Sequence, residues 1–486
     1  MPDGTSENEN ETPSIPPPSN SENSRTQNPT RRGPYLESFE KKKIGRIFPH
    51  YKEKKIRIKI RNSRITKRLF WVLSLIIFLT ALVLSVVSSK AFSLLLIVKK
   101  LKNENLLIGF QNSAELRPTG GFWGSFAILK IGKNIKESEL LFETNPYKND
   151  NPLLRSTSVE LPKPMKETWP DRPQSFVNAN WSFNFEEAAK TLEWYFGQGW
   201  QTQNSGVIAI SSLAVIDLLR LTGPVTTSDG TEINSENFTQ ILSQKIDTEY
   251  WQSDLNKQIN EPKTILKEVS PQLIQKTKNI PLLTLYGFIQ KQFEEGRVLC
   301  YFSDSQKDRL CQKLGLNGKP VPYDKDYLSV NSANLNGGKT SLNVSQSIDY
   351  SVGSIERNNL ADLKITRYHN TNPWPAILNR NYTRVIAPLG SQLVSAKLGD
   401  ADITQLIEKI DEQGRTTFGF WFSTSPGETK TAEIQYLLPF DFKNLKDYNL
   451  IFQKQPGTIA ENLKVTISDK ILFEGENNKS LLKIQE

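Results

Sequence analysis

The chain predicts an α/β layered domain followed by an all-β sandwich, both carried behind a disordered N-terminus and one transmembrane helix. Three observations lead there. A single uninterrupted apolar run, Leu69–Ser89, separates a polar N-terminal segment from the main body. Between residues 99 and 334, short apolar strand patterns alternate with helical ones. From residue 335 onward, strand patterns follow one another, divided by Pro, Gly and Asn turns. The boundaries drawn on this basis are 1–68, 69–98, 99–334 and 335–486.

The first thirty residues are rich in Pro, Ser, Asn and Glu and contain no aromatic residue. Such a segment cannot bury enough apolar surface to offset its ordering entropy, so disorder is expected. The 61 basic and 52 acidic residues leave a formal charge of +9, unevenly placed. Residues 1–30 hold five acids and one Arg, residues 31–68 hold fifteen Lys or Arg and three Glu, and residues 99–486 carry no net charge. The basic pI therefore reports one short segment, which excludes a nucleic-acid-binding face on the main body. Only His50, His369 and two cysteines are present, which excludes a zinc site of the usual His/Cys kind.

Leu69–Ser89 is 21 residues without a charge. At roughly 1.5 Å per residue it reaches about 31 Å, the thickness of a hydrocarbon core. It begins far from the N-terminus and no small-x-small cleavage site follows, so it reads as a retained anchor. The basic run lies before it, which places the N-terminus in the cytoplasm and the main body outside a cell membrane.

Leu106–Phe110 and Phe122–Ile131 read as strands, with Gly120, Gly121 and Gly124 easing the corner between them. By itself, a Glu115/Arg117 pair in that corner reads as turn chemistry and a local ion pair. Asn184 caps a helix that Gly197 stops, Val207–Ile210 is a buried strand, and Ser211 or Ser212 caps a helix ended by Gly223-Pro224. Helical patterns follow at 235–252, 262–278, 281–295 and 305–314, with a strand at Val298–Phe302. Further strands fit 340–352, 361–366, 383–398, 416–424, 432–438, 447–454 and 461–468. Cys300 and Cys311, placed between a strand and the next helix, are either a disulfide or two buried thiols. Asn336-Gly337-Gly338-Lys339-Thr340-Ser341 lacks the first Gly of a phosphate loop and reads as a hairpin turn. His369 falls at a strand end, and Trp374 in Pro373-Trp374-Pro375 suits either sugar stacking or packing under a loop.

The stretch NSAELRPTGGFWGSFAIL, residues 112–129, closely resembles the signature of the bacterial family called domain of unknown function 4012. Asn178-Ala179-Asn180-Trp181-Ser182 with Phe185, Gly206–Ile210 with Leu221-Thr222-Gly223-Pro224-Val225, and blocks at Tyr327–Val330, Asn334–Lys339 and Ser347–Tyr350 extend the resemblance over about residues 104–400. That family is membrane-associated and carries no assigned activity.

The element order also resembles the LytR-CpsA-Psr family of cell-wall ligases, which move a glycopolymer from a polyprenyl pyrophosphate carrier to peptidoglycan. What this second resemblance implies is a phosphotransferase of the cell-wall glycopolymer ligase type, with Glu115 and Arg117 as catalytic residues. Arg117, Thr119, Arg155, Arg172 and Asn180 would then bind ligand, with a divalent cation such as Mg assisting. Its partners would be the membrane, a polyprenyl phosphate lipid and cell-wall glycan. The family's Arg-x-Asp-Thr is Arg117-Pro118-Thr119-Gly120 here, without the Asp, and its Pro-Arg-Asp strand has no clear counterpart. The alternative is an envelope module without catalysis, either structural or binding glycan or protein. The structure bears on the choice: several basic side chains around an elongated apolar groove would favour a polyprenyl phosphate, and a filled core the structural reading.

Overall fold

A computed structural model describes residues 89–133, 137–143, 145–149, 159–200, 203–246, 263–335, 337–355, 358–371, 375–441 and 447–485. The N-terminal segment, the apolar run up to Ser88, Arg155, Asn336 and Trp374 lie outside the described residues. Leu79–Glu486 forms one compact unit. Among the described residues no helix is long and apolar enough to cross a membrane.

The first part is mixed α/β. Helix α1 (Lys90–Lys100) is followed by strands β1 (Asn105–Asn112), β2 (Phe122–Lys130) and β3 (Glu139–Glu143). Then come α2 (Lys163–Thr168), α3 (Phe185–Trp200), β4 (Gly206–Ser211) and α4 (Ser212–Thr222). A small ribbon of β5 (Val225–Thr226) and β6 (Glu232–Ile233) leads to α5 (Phe238–Gln244), α6 (Thr264–Thr277) and α7 (Leu282–Glu294). Strand β7 (Val298–Phe302) and α8 (Ser305–Leu314) close this part. The strands form one sheet in the order β3-β2-β1-β4-β7, with β1 and β4 parallel and the other pairs antiparallel.

Alternation sends successive side chains to opposite faces of this sheet. Leu107, Val207, Ala209, Leu299 and Tyr301 meet Phe185, Leu192 and Phe196 of α3 on one face. Leu106, Cys300 and Phe302 meet Ile97 of α1, Phe293 of α7 and Leu310 of α8 on the other. Helices cover both faces, which is why the central strands read as continuous apolar runs. Local capping fixes the helix starts: the Ser211 hydroxyl accepts from the Leu213 amide at 3.1 Å, and Asp304 accepts from the Gln306 and Lys307 amides at 2.8 and 2.9 Å. Gly223, at φ 80°, ends α4 as expected. Gly197 does not end α3; the helix runs on to Trp200, which stacks on Phe196 and meets Phe126 edge-on. That aromatic packing overrides the weak propensity of one glycine.

The second part is strand-rich: β8 (Asp326–Asn334), β9 (Val344–Ile355), β10 (Asn358–His369), β11 (Asn381–Pro388), β12 (Gln392–Leu398), β13 (Ala401–Asp402), β14 (Glu408–Glu412), β15 (Arg415–Trp421), β16 (Thr429–Leu437), β17 (Asn449–Gln453), β18 (Glu461–Ile467), β19 (Lys470–Asn477) and β20 (Leu481–Gln485). They make a seven-stranded sheet, β13-β12-β16-β10-β9-β18-β19, and a six-stranded sheet, β14-β15-β11-β8-β17-β20. Leu328, Val385, Phe418 and Phe452 of the smaller sheet share one core with Tyr350, Leu363, Ile434 and Val465 of the larger. Strand β8 pairs with β11 and β17, so this region starts before residue 335. The Gly337-Gly338-Lys339 loop is not a hairpin turn, because β8 and β9 lie in different sheets and the loop crosses between them. The expected strand 383–398 is likewise two strands in different sheets, broken at Gly390, where φ is 93°.

Candidate functional site

The β1–β2 loop is held by a network of hydrogen bonds. Gly121 is obligatory there: a Cβ would stand 2.5 Å from the Asn112 carbonyl group. Ser113 Oγ donates to the Gly120 carbonyl at 3.0 Å and lies 2.8 Å from Ser211 Oγ, tying the loop to the end of β4. Thr119 Oγ1 accepts from Gln111 Nε2 at 2.7 Å and from Asn180 Nδ2 at 3.0 Å. Asn180 Nδ2 also donates to the Gly121 carbonyl at 2.8 Å. Thr119 and Asn180 therefore hold the loop in shape.

Arg117 is only 1% exposed and Glu115 7%. Their ion pair, Nη2 to Oε1 at 2.9 Å, is the local pair expected of the corner, but it is buried. Arg117 Nη1 donates to the carbonyls of Leu116, at 3.1 Å, and Asn334. Asn334 N returns a bond to the Leu116 carbonyl at 3.0 Å, and Gln455 Nε2 donates to the Arg117 carbonyl at 2.9 Å. The loop thus joins the α/β layer to the strand-rich part. Burial pulls the guanidinium down from its ordinary value and Glu115 opposes that. Among the described residues Arg117 Nε has no partner, an uncommon condition for a buried donor.

Beside this loop lies a cavity of about 1510 Å³. Ile108, Phe110, Ile210 and Val298 form its floor on the sheet, at the carboxyl ends of the parallel pair β1 and β4, the usual place for ligands in such sheets. Its walls come from α4 to α7: Val215 and Leu218, then Phe238 and Leu242, then Leu266, Val269 and Leu273, then Phe288, Ile289 and Phe293. Among the described residues four cations line it, namely Arg117, Arg172, Lys263 and Lys339, against the carboxylates of Glu115 and Asp171. Arg117 lies over the Phe122 ring at 5.4 Å, and Lys263 Nζ donates to the Gly124 carbonyl two residues along β2. Ser341 N donates to the Ala114 carbonyl at 2.8 Å, which brings the Gly337–Lys339 loop against the same corner. Arg117, Lys263 and the Lys339 loop therefore meet at the β1–β2 corner while the helices supply an apolar wall.

Of the predicted residues, Glu115, Arg117 and Arg172 line the cavity; Thr119 and Asn180 do not, being spent on the loop, and Asn178 takes a place on the wall instead. Arg172 is exposed. Cys300 and Cys311 form a disulfide joining β7 to α8, with Cα atoms 6.1 Å apart. His369 is buried at the end of β10 with Nδ1 3.0 Å from the Thr424 carbonyl, away from the cavity. Sequence reasoning missed Lys263 and Lys339. The sequence signalled the apolar wall and not these lysines: 281–295 holds more apolar residues than one buried face needs. It also missed Asp217, which accepts from Arg220, Lys291, Gln292 and Arg297. Burial pushes the Asp217 carboxyl up, but Lys291, Gln292 and Arg297 together hold it below the usual range.

Among the described residues no three His, Cys, Asp or Glu side chains converge as a metal centre would require.

Fold and site define a mixed α/β protein with a large amphipathic cavity and a strand-rich C-terminal region. Residues 102–246 match the family model described as Protein of unknown function (DUF4012), which supports the resemblance carried by the β1–β2 loop. No curated protein matches the chain. Solved structures that overlap parts of it include a nutrient binding protein of Legionella pneumophila, at 8% identity over 26% of this chain and 51% of that one, TM-score 0.18. Aminopeptidase A of the same organism overlaps at 13% identity over 26% and 16%, TM-score 0.18. An M1 zinc metallopeptidase of Deinococcus radiodurans overlaps at 11% identity over 29% and 38%, TM-score 0.17. This chain spans about half or less of each, and overlaps this slight carry no argument about fold or activity.

Proposed function

We propose that this is a membrane-anchored, extracytoplasmic envelope protein whose α/β cavity binds a long-chain lipid phosphate of the polyprenyl type. A β-sandwich built by the two C-terminal sheets stands behind that site and contacts glycan or protein. The observation that carries the reading is the cavity itself: an apolar wall from four helices and four lining cations enclosing about 1510 Å³. Drug-sized ligands fill roughly 300–1,000 Å³, so the space suits a long apolar chain better than a sugar or nucleotide alone. Arg117 Nε, a buried donor without an acceptor, favours an anionic head group at that end, since charge-assisted bonds to phosphate are strong and bidentate. The orientation rests on the basic run before Leu69–Ser89.

A transferase reading rests on Glu115 and Arg117 lining the same cavity. Their mutual ion pair favours binding, because Glu115 already spends an oxygen on Arg117. Titration of the full chain in detergent with undecaprenyl phosphate, undecaprenol and inorganic phosphate tests the proposal. Saturable binding of the phosphate ester, with the alcohol weaker and inorganic phosphate weaker still, is the expected order. Equal binding of all three, or none, would sink it. Transfer of glycan from a polyprenyl pyrophosphate donor to peptidoglycan would establish the ligase reading above mere binding.

A further inference from the structure

One surface of the α/β layer is more apolar than a water-exposed helix should be. Residues 279–290 carry no charge, and Leu282 and Leu283, at the start of α7, are 81% and 85% exposed. Tyr286, one turn on, is exposed as well, and so is Ile274 near the end of α6. Clustered exposed apolar side chains of this size mark an interaction site. Lys276 and Lys278 directly precede the charge-free run, giving the patch a cationic border.

Two further observations say what covers it. Phe288 and Ile289, on the same helix, line the cavity, and Ile274 both lines it and reaches the surface. The exposed patch therefore continues into the apolar wall. At its other end α7 meets the point where the described chain begins: Glu294 lies 4.0 Å from Lys90, the first residue of α1. Lys90 directly follows the apolar run Leu69–Ser89. A 13-residue helix is about 20 Å long, so its Leu-Leu end lies within one helix length of that point.

We propose that the first half of α7, with the end of α6, docks on an anionic lipid bilayer, so that the cavity opens toward the lipid phase. Leu282, Leu283 and Tyr286 enter the headgroup boundary while Lys276 and Lys278 meet acidic lipid. This inference rests on the reading of the cavity as a lipid site and names the route by which its ligand arrives. A lipid drawn from the bilayer would then keep its chain out of water throughout.

The test places a label on the patch. Both native cysteines are bridged, so Leu283→Cys gives a single free thiol in the full chain, and at an exposed position it leaves folding alone. The chain carrying a polarity-sensitive fluorophore there is reconstituted in phosphatidylglycerol and phosphatidylcholine vesicles containing shallow doxyl-labelled lipid. Insertion of about 5–10 Å predicts quenching by about half or more at 283, and none at Val394→Cys on β12. Adding Leu282→Asp should reverse the quenching. Equal emission at both labelled positions overturns the proposal. So does a blue shift at 283 that grows with protein concentration without quenching, since a second copy would then cover the patch. Undecaprenyl phosphate binding, measured on the same protein in detergent, separates the two readings. Binding without quenching overturns docking alone, and quenching without binding supports docking while overturning the cavity assignment.

Discussion

The strand-rich part and the α/β layer bury charge in opposite ways. In the strand-rich part Asp326 is fully buried and held by hydroxyls: Tyr350 donates to it at 2.7 Å, Tyr448 donates beside it, and the Tyr327 amide donates at 2.8 Å. Among the described residues no cation pairs with it. In the α/β layer Arg117 is buried with a carboxylate and two carbonyls, at the edge of a cavity of about 1510 Å³. The first arrangement serves packing, because every bond of Asp326 is spent within the core. The second leaves both unfilled space and an unpaired donor, and those are what a ligand site requires.

Arg117→Ala should give the largest effect. Removing one partner of a buried pair leaves Glu115 uncompensated and frees the Asn334 carbonyl, a loss of about 3–5 kcal/mol of stability. Urea unfolding measures it. A loss below about 1 kcal/mol would return the loop to the exposed-turn reading.

Asp326 provides a test in the other region. Burial raises its carboxyl to about 6, against about 3.9 in an unfolded chain. The folded protein keeps a proton that the unfolded chain has released between those values, so this group lowers stability as pH rises from about 4 through 6. The decline amounts to about 3 kcal/mol, and Asp326→Asn should flatten it in urea midpoints taken across that range. An unchanged slope would mean that the tyrosine hydroxyls hold the carboxylate charged.

The Cys300–Cys311 disulfide spans 11 residues, and opening so short a loop costs about 3 kcal/mol at most in the chain-entropy account. Thiol labelling of denatured, unreduced protein should find neither cysteine free. Full labelling of both would remove the bridge from the account.

Arg172→Ala sharpens the contrast from the small end. This exposed residue should change stability by less than about 0.5 kcal/mol while weakening undecaprenyl phosphate binding about tenfold, as expected for a lost charge-assisted contact. Unchanged binding would remove Arg172 from the site.

The elements that the sequence made legible are those whose signals are local. Val298–Phe302 and Ser305–Leu314 lie where their residue patterns place them, and the Ser211 cap and Gly223 stop bound α4. Burial of Arg117 was not legible, because the groups that bury it, Asn334 and Gln455, lie 217 and 338 residues away in sequence. The same distance effect hid Lys339: its loop reads as a turn in isolation, and only the bond from Ser341 to Ala114 brings it to the cavity corner. The cavity depends on how α4 to α7 stand off the sheet, a spacing that no residue pattern along one helix encodes. Glu115, Arg117 and Arg172 were candidates through family resemblance and line the cavity, whereas the hydrogen bonds of Thr119 and Asn180 face inward.

The central claim is that the space beneath α4 holds the lipid chain, and filling that space tests it most directly. Val215 is half-buried on α4 and lines the cavity, so Val215→Trp should occupy volume without entering the core of the sheet. Undecaprenyl phosphate binding to the full chain should fall by at least about tenfold in this variant, the equivalent of about 1.4 kcal/mol, with an unfolding midpoint close to that of the parent. Undiminished binding by a folded Val215→Trp protein would place the lipid elsewhere and contradict the account.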